Sequence, residues 1–168
     1  FRTVDVVGLD TLVHVANGIY ENCPNDEAHE LFKLPDFITK MMENKWLGSK
    51  TGQGFYKKVD KDILSLDLNT LEYRPAKKAS FATLELTKTI DKPINRFKVL
   101  VKGTDKAGEF YRKSFAGMFA YVSNRVPEIS DELYKIDDAM KAGFGWENGP
   151  FEIWDAIGVA KGIEIMKA

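Results

Sequence analysis

Apolar residues recur near the start of the chain at Leu9, Leu12, Val13, Ala16, Ile19 and Tyr20, the spacing that gathers side chains on one face of an α-helix. The pattern predicts a helix over 4–21, closed by Pro24, which has no N–H with which to continue it. Leu34-Pro35-Asp36 places a proline at a first helical position. Phe37, Ile38, Met41 and Met42 then predict a second, shorter helix that residues 44–48 break. Gly48-Ser49-Lys50-Thr51-Gly52-Gln53-Gly54 reads as a glycine turn leading into an extended Phe55-Tyr56. Beyond it the period changes to two. Leu64, Leu66 and Leu68 alternate with polar residues, Asn69-Thr70 follows, and Leu71 and Tyr73 alternate again, which predicts a small hairpin.

Pro75 and the Lys77-Lys78 pair mark residues 73–80 as a linker, with Ser80 positioned to cap a short helix over 81–89. Thr104-Asp105 caps a longer run in which Ala107, Tyr111, Phe115, Met118, Phe119, Val122 and Val126 share one face, and Pro127 is expected to end it. Ser130-Asp131-Glu132 predicts a helix over 131–141 that Gly143 closes, and a last helix runs from Pro150 to the C-terminus. The sum is an all-α fold with a small β-hairpin.

Composition narrows the function without naming it. Of 168 residues, 44% are hydrophobic and 29% charged, the proportions of a globular protein, and the formal net charge of −1 gives no pull toward nucleic acid. No apolar run approaches the roughly 20 residues that cross a bilayer, and Phe1-Arg2-Thr3-Val4-Asp5 is unlike a signal peptide. Cys23 is the one cysteine, so no intrachain disulfide forms, and with only two histidines no structural zinc site is expected. The compartment reads as cytoplasmic. The chain does not begin with Met, and the expectation is a processed protein or a piece of a longer one.

The two ends repeat each other. Phe1-Arg2-Thr3-Val4-Asp5-Val6-Val7-Gly8-Leu9 matches Phe151-Glu152-Ile153-Trp154-Asp155-Ala156-Ile157-Gly158-Val159 at an offset of 150, with Phe, Asp and Gly coincident. Each shared residue has a task at a helix start: the ring packs, the carboxylate faces exposed amides, and the glycine permits a close approach or an unusual turn. The segment from Gly143 through Gly149-Pro150-Phe151 to Gly158, the segment Lys50-Thr51-Gly52-Gln53-Gly54-Phe55-Tyr56, and Asn124-Arg125 together resemble the 3-hydroxyacyl-CoA dehydrogenase C-terminal domain. The resemblance implies a tandem helical part of a multifunctional fatty-acid β-oxidation protein, downstream of an NAD-binding domain. Its register implies a back half of one repeat with the hairpin at 1–74, a linker and short helix at 75–93, and the front half of a second repeat at 94–168.

The reaction so implied moves a hydride from a 3-hydroxyacyl-CoA to NAD, aided by a histidine base. His14 and His29 do not resemble that base, and no Gly-x-Gly-x-x-Gly stands between a strand and a helix. The chain alone is therefore expected to hold no catalytic residue, bind no NAD and be inactive, while the parent enzyme takes NAD and acyl-CoA. Two residues are candidates for substrate contact. Lys50, with Lys45, Lys57, Lys58 and Lys61 around the glycine turn, could meet CoA phosphates or form a solvated basic loop. Asn124 could meet substrate, or be buried between repeats with its amide satisfied by backbone groups. Trp146, Trp154, Phe144 and Phe151 are expected to pack in a core or wall an acyl pocket. Exposed apolar surface near the first helix predicts self-association, a homo-oligomer. The competing reading is a non-catalytic helical module for interaction or oligomerisation.

Overall fold

In the computed structural model, which describes residues 1–168, Gly8 takes φ 112° and ψ 132°. Side-chain-bearing residues rarely adopt that backbone region, and it breaks the first apolar run into α1 (Arg2–Val7) and α2 (Leu9–Asn22). The single helix expected over 4–21 is thus two. The same break recurs at Gly158, φ 103° and ψ 128°, which divides the expected last helix into α8 (Pro150–Ile157) and α9 (Val159–Lys167). The chain separates into two compact units, Phe1–Lys78 and Ala79–Ala168.

In the first unit a 3-10 turn (His29–Phe32) leads to α3 (Asp36–Glu43), with Pro35 as the N-cap rather than the first helical residue. A second 3-10 turn (Ser49–Thr51) opens the glycine loop. Three antiparallel strands follow in the order β1 (Tyr56–Val59), β2 (Asp62–Leu66), β3 (Tyr73–Pro75). The predicted hairpin is β2–β3, with Leu66 opposite Tyr73. The extended Phe55-Tyr56 is the entry to β1, whose continuation to Val59 was not read; it pairs Val59 with Asp62 across a two-residue turn where Asp60 has φ 53°. Leu9, Ile38, Met41, Phe55 and Leu66 form the core, so α2, α3, the glycine loop and the sheet close on one another.

The second unit is all helix: α4 (Ala82–Thr87), α5 (Pro93–Leu100), α6 (Lys106–Ile129), α7 (Leu133–Phe144), α8 and α9. Asp105 is the N-cap of α6, accepting from Gly108 N–H at 3.0 Å while its other oxygen accepts from Thr83 N–H at 3.0 Å. Asp105, rather than Ser80, therefore satisfies the start of α4, whose N-cap is Phe81. Helix α5 went unread, although Lys92-Pro93 sets proline at its first position. Pro127 lies inside α6 instead of ending it. In the last turn its missing N–H removes one bond near an end where bonds are already few. Gly145 rather than Gly143 closes α7, taking the left-handed conformation at φ 65°. Phe115, Phe119 and Trp154 stack in series through the core, with centroids 5.8 Å and 4.8 Å apart. Val101, Ile153, Ile157 and Ile165 pack around them. No helix is long and apolar enough to cross a membrane.

Candidate functional site

Asp5, on α1, is the centre of the first unit's built site. It is 7% exposed. One carboxylate oxygen accepts from Phe55 N–H at 2.9 Å and the other from Tyr56 N–H at 2.8 Å. A buried acceptor pair thus meets two consecutive donors, the arrangement that makes burial of a carboxylate tolerable. Close approach demands glycine in the loop: a Cβ on Gly48 would run into the Asp5 backbone, and one on Gly54 into its carboxylate. Tyr73 donates its hydroxyl to Gly54 O at 2.7 Å, and burial, then the nearby Asp5 charge, pushes that phenol up to about 12. Leu9 N–H donates to Leu47 O at 3.0 Å, and Phe1 stacks on Phe55 with centroids 4.4 Å apart. Residues 47–56 therefore contact Phe1, Asp5 and Leu9 together, with Val4 packed against the same core.

Lys50 lies in this loop and forms an ion pair with Asp10 at 2.5 Å. That contact, chiefly its hydrogen bond, holds Asp10 below the ordinary carboxylate range. The ammonium has three donors and remains half-exposed. Beside it, a depression of about 460 Å³ is lined by Arg2, Asp5, Ser49, Tyr56, Lys58 and their neighbours, and Arg2 lies over the Tyr56 ring at 5.7 Å. The basic loop is not uniformly solvated, because Lys57 lies 5.4 Å from the Tyr73 ring centre.

In the second unit Asp137 on α7 plays the anchoring part. It accepts from Phe151 N–H at 2.8 Å and Glu152 N–H at 3.1 Å, the first amides of α8, and burial raises its carboxyl above the ordinary range. Glu152 accepts from Gly149 N–H at 2.9 Å and pairs with Lys141 at 2.7 Å. Hydrogen bonding to Glu152 and Asp138 lifts Lys141 to about 12. Asn124 lies on α6 and is exposed, which corrects the expectation of a buried amide. It is distant in sequence from Lys50, and the two belong to different units. Trp154 packs in the core as expected, but Phe144 is 75% exposed and Trp146 is also exposed, so the aromatic bracket is only half core.

His14 is exposed on α2, and His29 stacks on Tyr20 at 4.0 Å. His29 Nε2 lies 3.8 Å from the exposed carboxylate of the adjacent Glu30, beyond the hydrogen-bond distance at which a carboxylate orients a base. The glycine loop does not fit a dinucleotide either: it follows α3 and opens a strand, and the amides of Phe55 and Tyr56 are already held by Asp5. The Gly143–Gly149 stretch follows a helix, not a strand. What sequence reasoning missed is Asp5 itself as the loop's receptor. The signal was present, since an acidic residue heads both copies of the repeat.

The repeated element has the same backbone in both places but opposite coverage. Leu9 is fully buried whereas its counterpart Val159 is 52% exposed, and Asp5 is buried whereas Asp155 is exposed. On the other side the order reverses, with Val7 at 56% exposure and its counterpart Ile157 at 7% in the core formed with α6. Each unit thus presents one completed face of a common element.

Residues 1–58 match the family described as 3-hydroxyacyl-CoA dehydrogenase, C-terminal domain. The whole chain is similar to a Bacillus subtilis protein named probable 3-hydroxyacyl-CoA dehydrogenase, 44% identical over 98% of this chain and 21% of that one. It is also similar to a fatty acid oxidation complex subunit alpha of Psychrobacter cryohalolentis, 31% identical over 93% of this chain and 20% of the relative. A stretch of 57 residues is similar to a mitochondrial hydroxyacyl-coenzyme A dehydrogenase of Rattus norvegicus, 39% identical over 34% of this chain and 17% of the relative. The chain spans about a fifth of the length of the relatives it matches. No solved structure matches it.

Proposed function

We propose, from the match of residues 1–58 to the 3-hydroxyacyl-CoA dehydrogenase C-terminal domain family and the similarity of the chain to a probable 3-hydroxyacyl-CoA dehydrogenase, that the chain is the helical, substrate-side and inter-repeat portion of an NAD-dependent 3-hydroxyacyl-CoA dehydrogenase of fatty-acid β-oxidation. The observation that carries this reading is the helix–glycine–helix element used twice, at Gly8 and Gly158, with complementary faces covered. A tandem of helical repeats requires such an element in each copy. In this reaction the hydride leaves C3 of the 3-hydroxyacyl-CoA for NAD while a base takes the hydroxyl proton, leaving the 3-oxoacyl-CoA. In this reading the base and the dinucleotide site belong to the parent enzyme rather than to residues 1–168. NAD and acyl-CoA are then ligands of the parent enzyme, whose NAD-binding domain is this chain's partner.

Within that reading Lys50 contacts a CoA phosphate with donors not given to Asp10, and Asn124 presents its amide toward substrate or the neighbouring repeat. Replacing Lys50 by Met in the intact polypeptide raises the KM for acyl-CoA with kcat held; an unchanged KM removes the phosphate role. The reading as a whole is tested with acetoacetyl-CoA and NADH, using the chain beside the intact polypeptide that contains it. The intact polypeptide oxidises NADH and the chain alone does not. An intact polypeptide without activity returns the chain to a helical interaction module, and turnover by the chain alone overturns the assignment of the reactive groups.

A further inference from the structure

Asp155 is exposed on α8, at the position where Asp5 is buried under two amides. Its surroundings show what would cover it. A depression of about 490 Å³ is lined by Leu133, Tyr134, Phe151, Trp154, Asp155 and Val159, among others. Four of these six are counterparts of Phe1, Val4, Asp5 and Leu9, which in the first unit contact the glycine loop or pack against the same core. Leu133, Tyr134 and Val159 are all exposed there; Asp137 and Glu152 also line the depression, but their oxygens are engaged by the Phe151, Glu152 and Gly149 amides and by Lys141, which leaves the Asp155 carboxylate to an occupant.

We propose that this face of the second unit is the receptor for a glycine–aromatic loop from outside residues 1–168, whose two consecutive backbone N–H groups are held by the Asp155 carboxylate. The occupant's chemistry follows from the first unit. It presents two adjacent free amides to the two carboxylate oxygens, as Phe55 and Tyr56 do. It brings glycine where the loop backbone meets α8, as Gly48 and Gly54 do against α1. Its aromatic ring lies on Phe151, as Phe55 lies on Phe1. A loop carbonyl takes the N–H of Val159, as Leu47 takes that of Leu9. The counterpart of Asp10 is Ala160, so the occupant needs no lysine where the first unit has Lys50. The chain's own loop cannot serve without abandoning Asp5, and the relatives extend well beyond the length of this chain. The inference rests on the internal repeat and holds whether or not the polypeptide is a dehydrogenase.

The test uses the full chain and a synthetic peptide of residues 47–59 carrying a fluorophore, titrated by anisotropy, with the contact surface mapped by NMR. The expected result is saturable binding with shifts at Trp154, Asp155 and Val159. Asp155→Asn weakens it about tenfold, and so does N-methylation of the peptide's Phe55 and Tyr56 amides. Asp155→Asn keeps the chain's circular dichroism, because the side chain is exposed. Absence of saturable binding at millimolar peptide overturns the proposal, as does binding that either change leaves intact. A concentration-dependent dimer of the chain that Asp155→Asn abolishes assigns the face to a second copy and likewise overturns it.

Discussion

Replacing Asp5 by Asn changes one oxygen to an NH2 group and leaves the shape nearly intact. The side chain is 7% exposed and its two oxygens accept from Phe55 and Tyr56 at 2.9 Å and 2.8 Å. Asn keeps one acceptor, turns a donor toward the other N–H, and removes the charge from the bond it preserves. A hydrogen bond to a charged group contributes about 1.5–3 kcal/mol, and a buried donor left unpaired costs about 1–3 kcal/mol. The expected loss is about 3 kcal/mol, more than a hundredfold in the equilibrium that folds the first unit. Urea unfolding followed by circular dichroism reads the loss, and hydrogen exchange at the Phe55 and Tyr56 amides locates it. Asp155→Asn in the same chain is the control, since an exposed carboxylate without such donors changes stability by no more than about 0.5 kcal/mol. An Asp5→Asn variant within that same margin, or amide exchange at Phe55 and Tyr56 unaltered, would refute the claim that this carboxylate holds the loop.

The two glycine breaks make a second comparison. Gly8→Ala strains a residue at φ 112° and sets its Cβ 2.6 Å from the Lys50 ammonium, whereas Gly158→Ala meets the same backbone strain with no neighbour within 4 Å. Both lower the melting temperature, each through about 1–3 kcal/mol of backbone strain, and because the Lys50 and Asp10 side-chain ends can move aside the two shifts are similar; an unchanged melting temperature for either variant would refute the need for glycine at that φ. In acid, Glu152, held below its ordinary range chiefly by Lys141, and Asp105, held low by the Thr83 and Gly108 amides, favour the folded state above their unfolded pKa values. That contribution disappears as pH falls through the depressed folded values, so acid unfolding of the second unit is delayed by these groups and Asp105→Asn shortens the plateau. In alkali the sign reverses. Tyr73 and Lys141, each raised to about 12, contribute fully below their ordinary values and are lost as pH rises through about 12, which Tyr73→Phe removes for the first unit in pH-dependent unfolding. Val6 and Val7 on α1 and Phe1 just before it are exposed, and light scattering is expected to show self-association that Val6→Ser with Val7→Ser reduces; a monomer at all concentrations refutes that use of the face.

Much of this arrangement is legible in the residues, but unevenly. The apolar runs locate α2, α3 and α6 because an amphipathic stripe has only one helical solution. They do not locate the breaks at Gly8 and Gly158, because the stripe continues across a glycine whose φ only the coordinates report. Helix α5 was hidden by its neighbours' linker-like composition, and β1 by two consecutive lysines, Lys57 and Lys58, that interrupt any apolar alternation along the strand. The glycine loop was visible as a turn, yet its partner was not. Asp5 and Phe55 are 50 residues apart, and nothing local in either segment encodes a contact at that separation. For Asn124 the sequence left open substrate contact or burial between repeats; α6 leaves it exposed, which sets aside the burial.

The repeat shows where sequence and structure supply different halves of one inference. Identity of Phe, Asp and Gly at the two ends establishes that the backbone recurs, but identical residues cannot reveal that Asp5 is covered and Asp155 is not. Burial shows that difference and gives it a direction. On one element, the face that holds Leu9 in the first unit and the face that holds Ile157 in the second are distinct, and each needs a different neighbour to exclude water. An apolar side chain exposed on folding forgoes about 1.5–3 kcal/mol of transfer free energy relative to its buried counterpart. Val159 and Val7, whose counterparts are buried, therefore each mark a place where added polypeptide gains stability by contact. Under the proposal made for the Asp155 face, the chemistry of its occupant is read from the copy that is already covered.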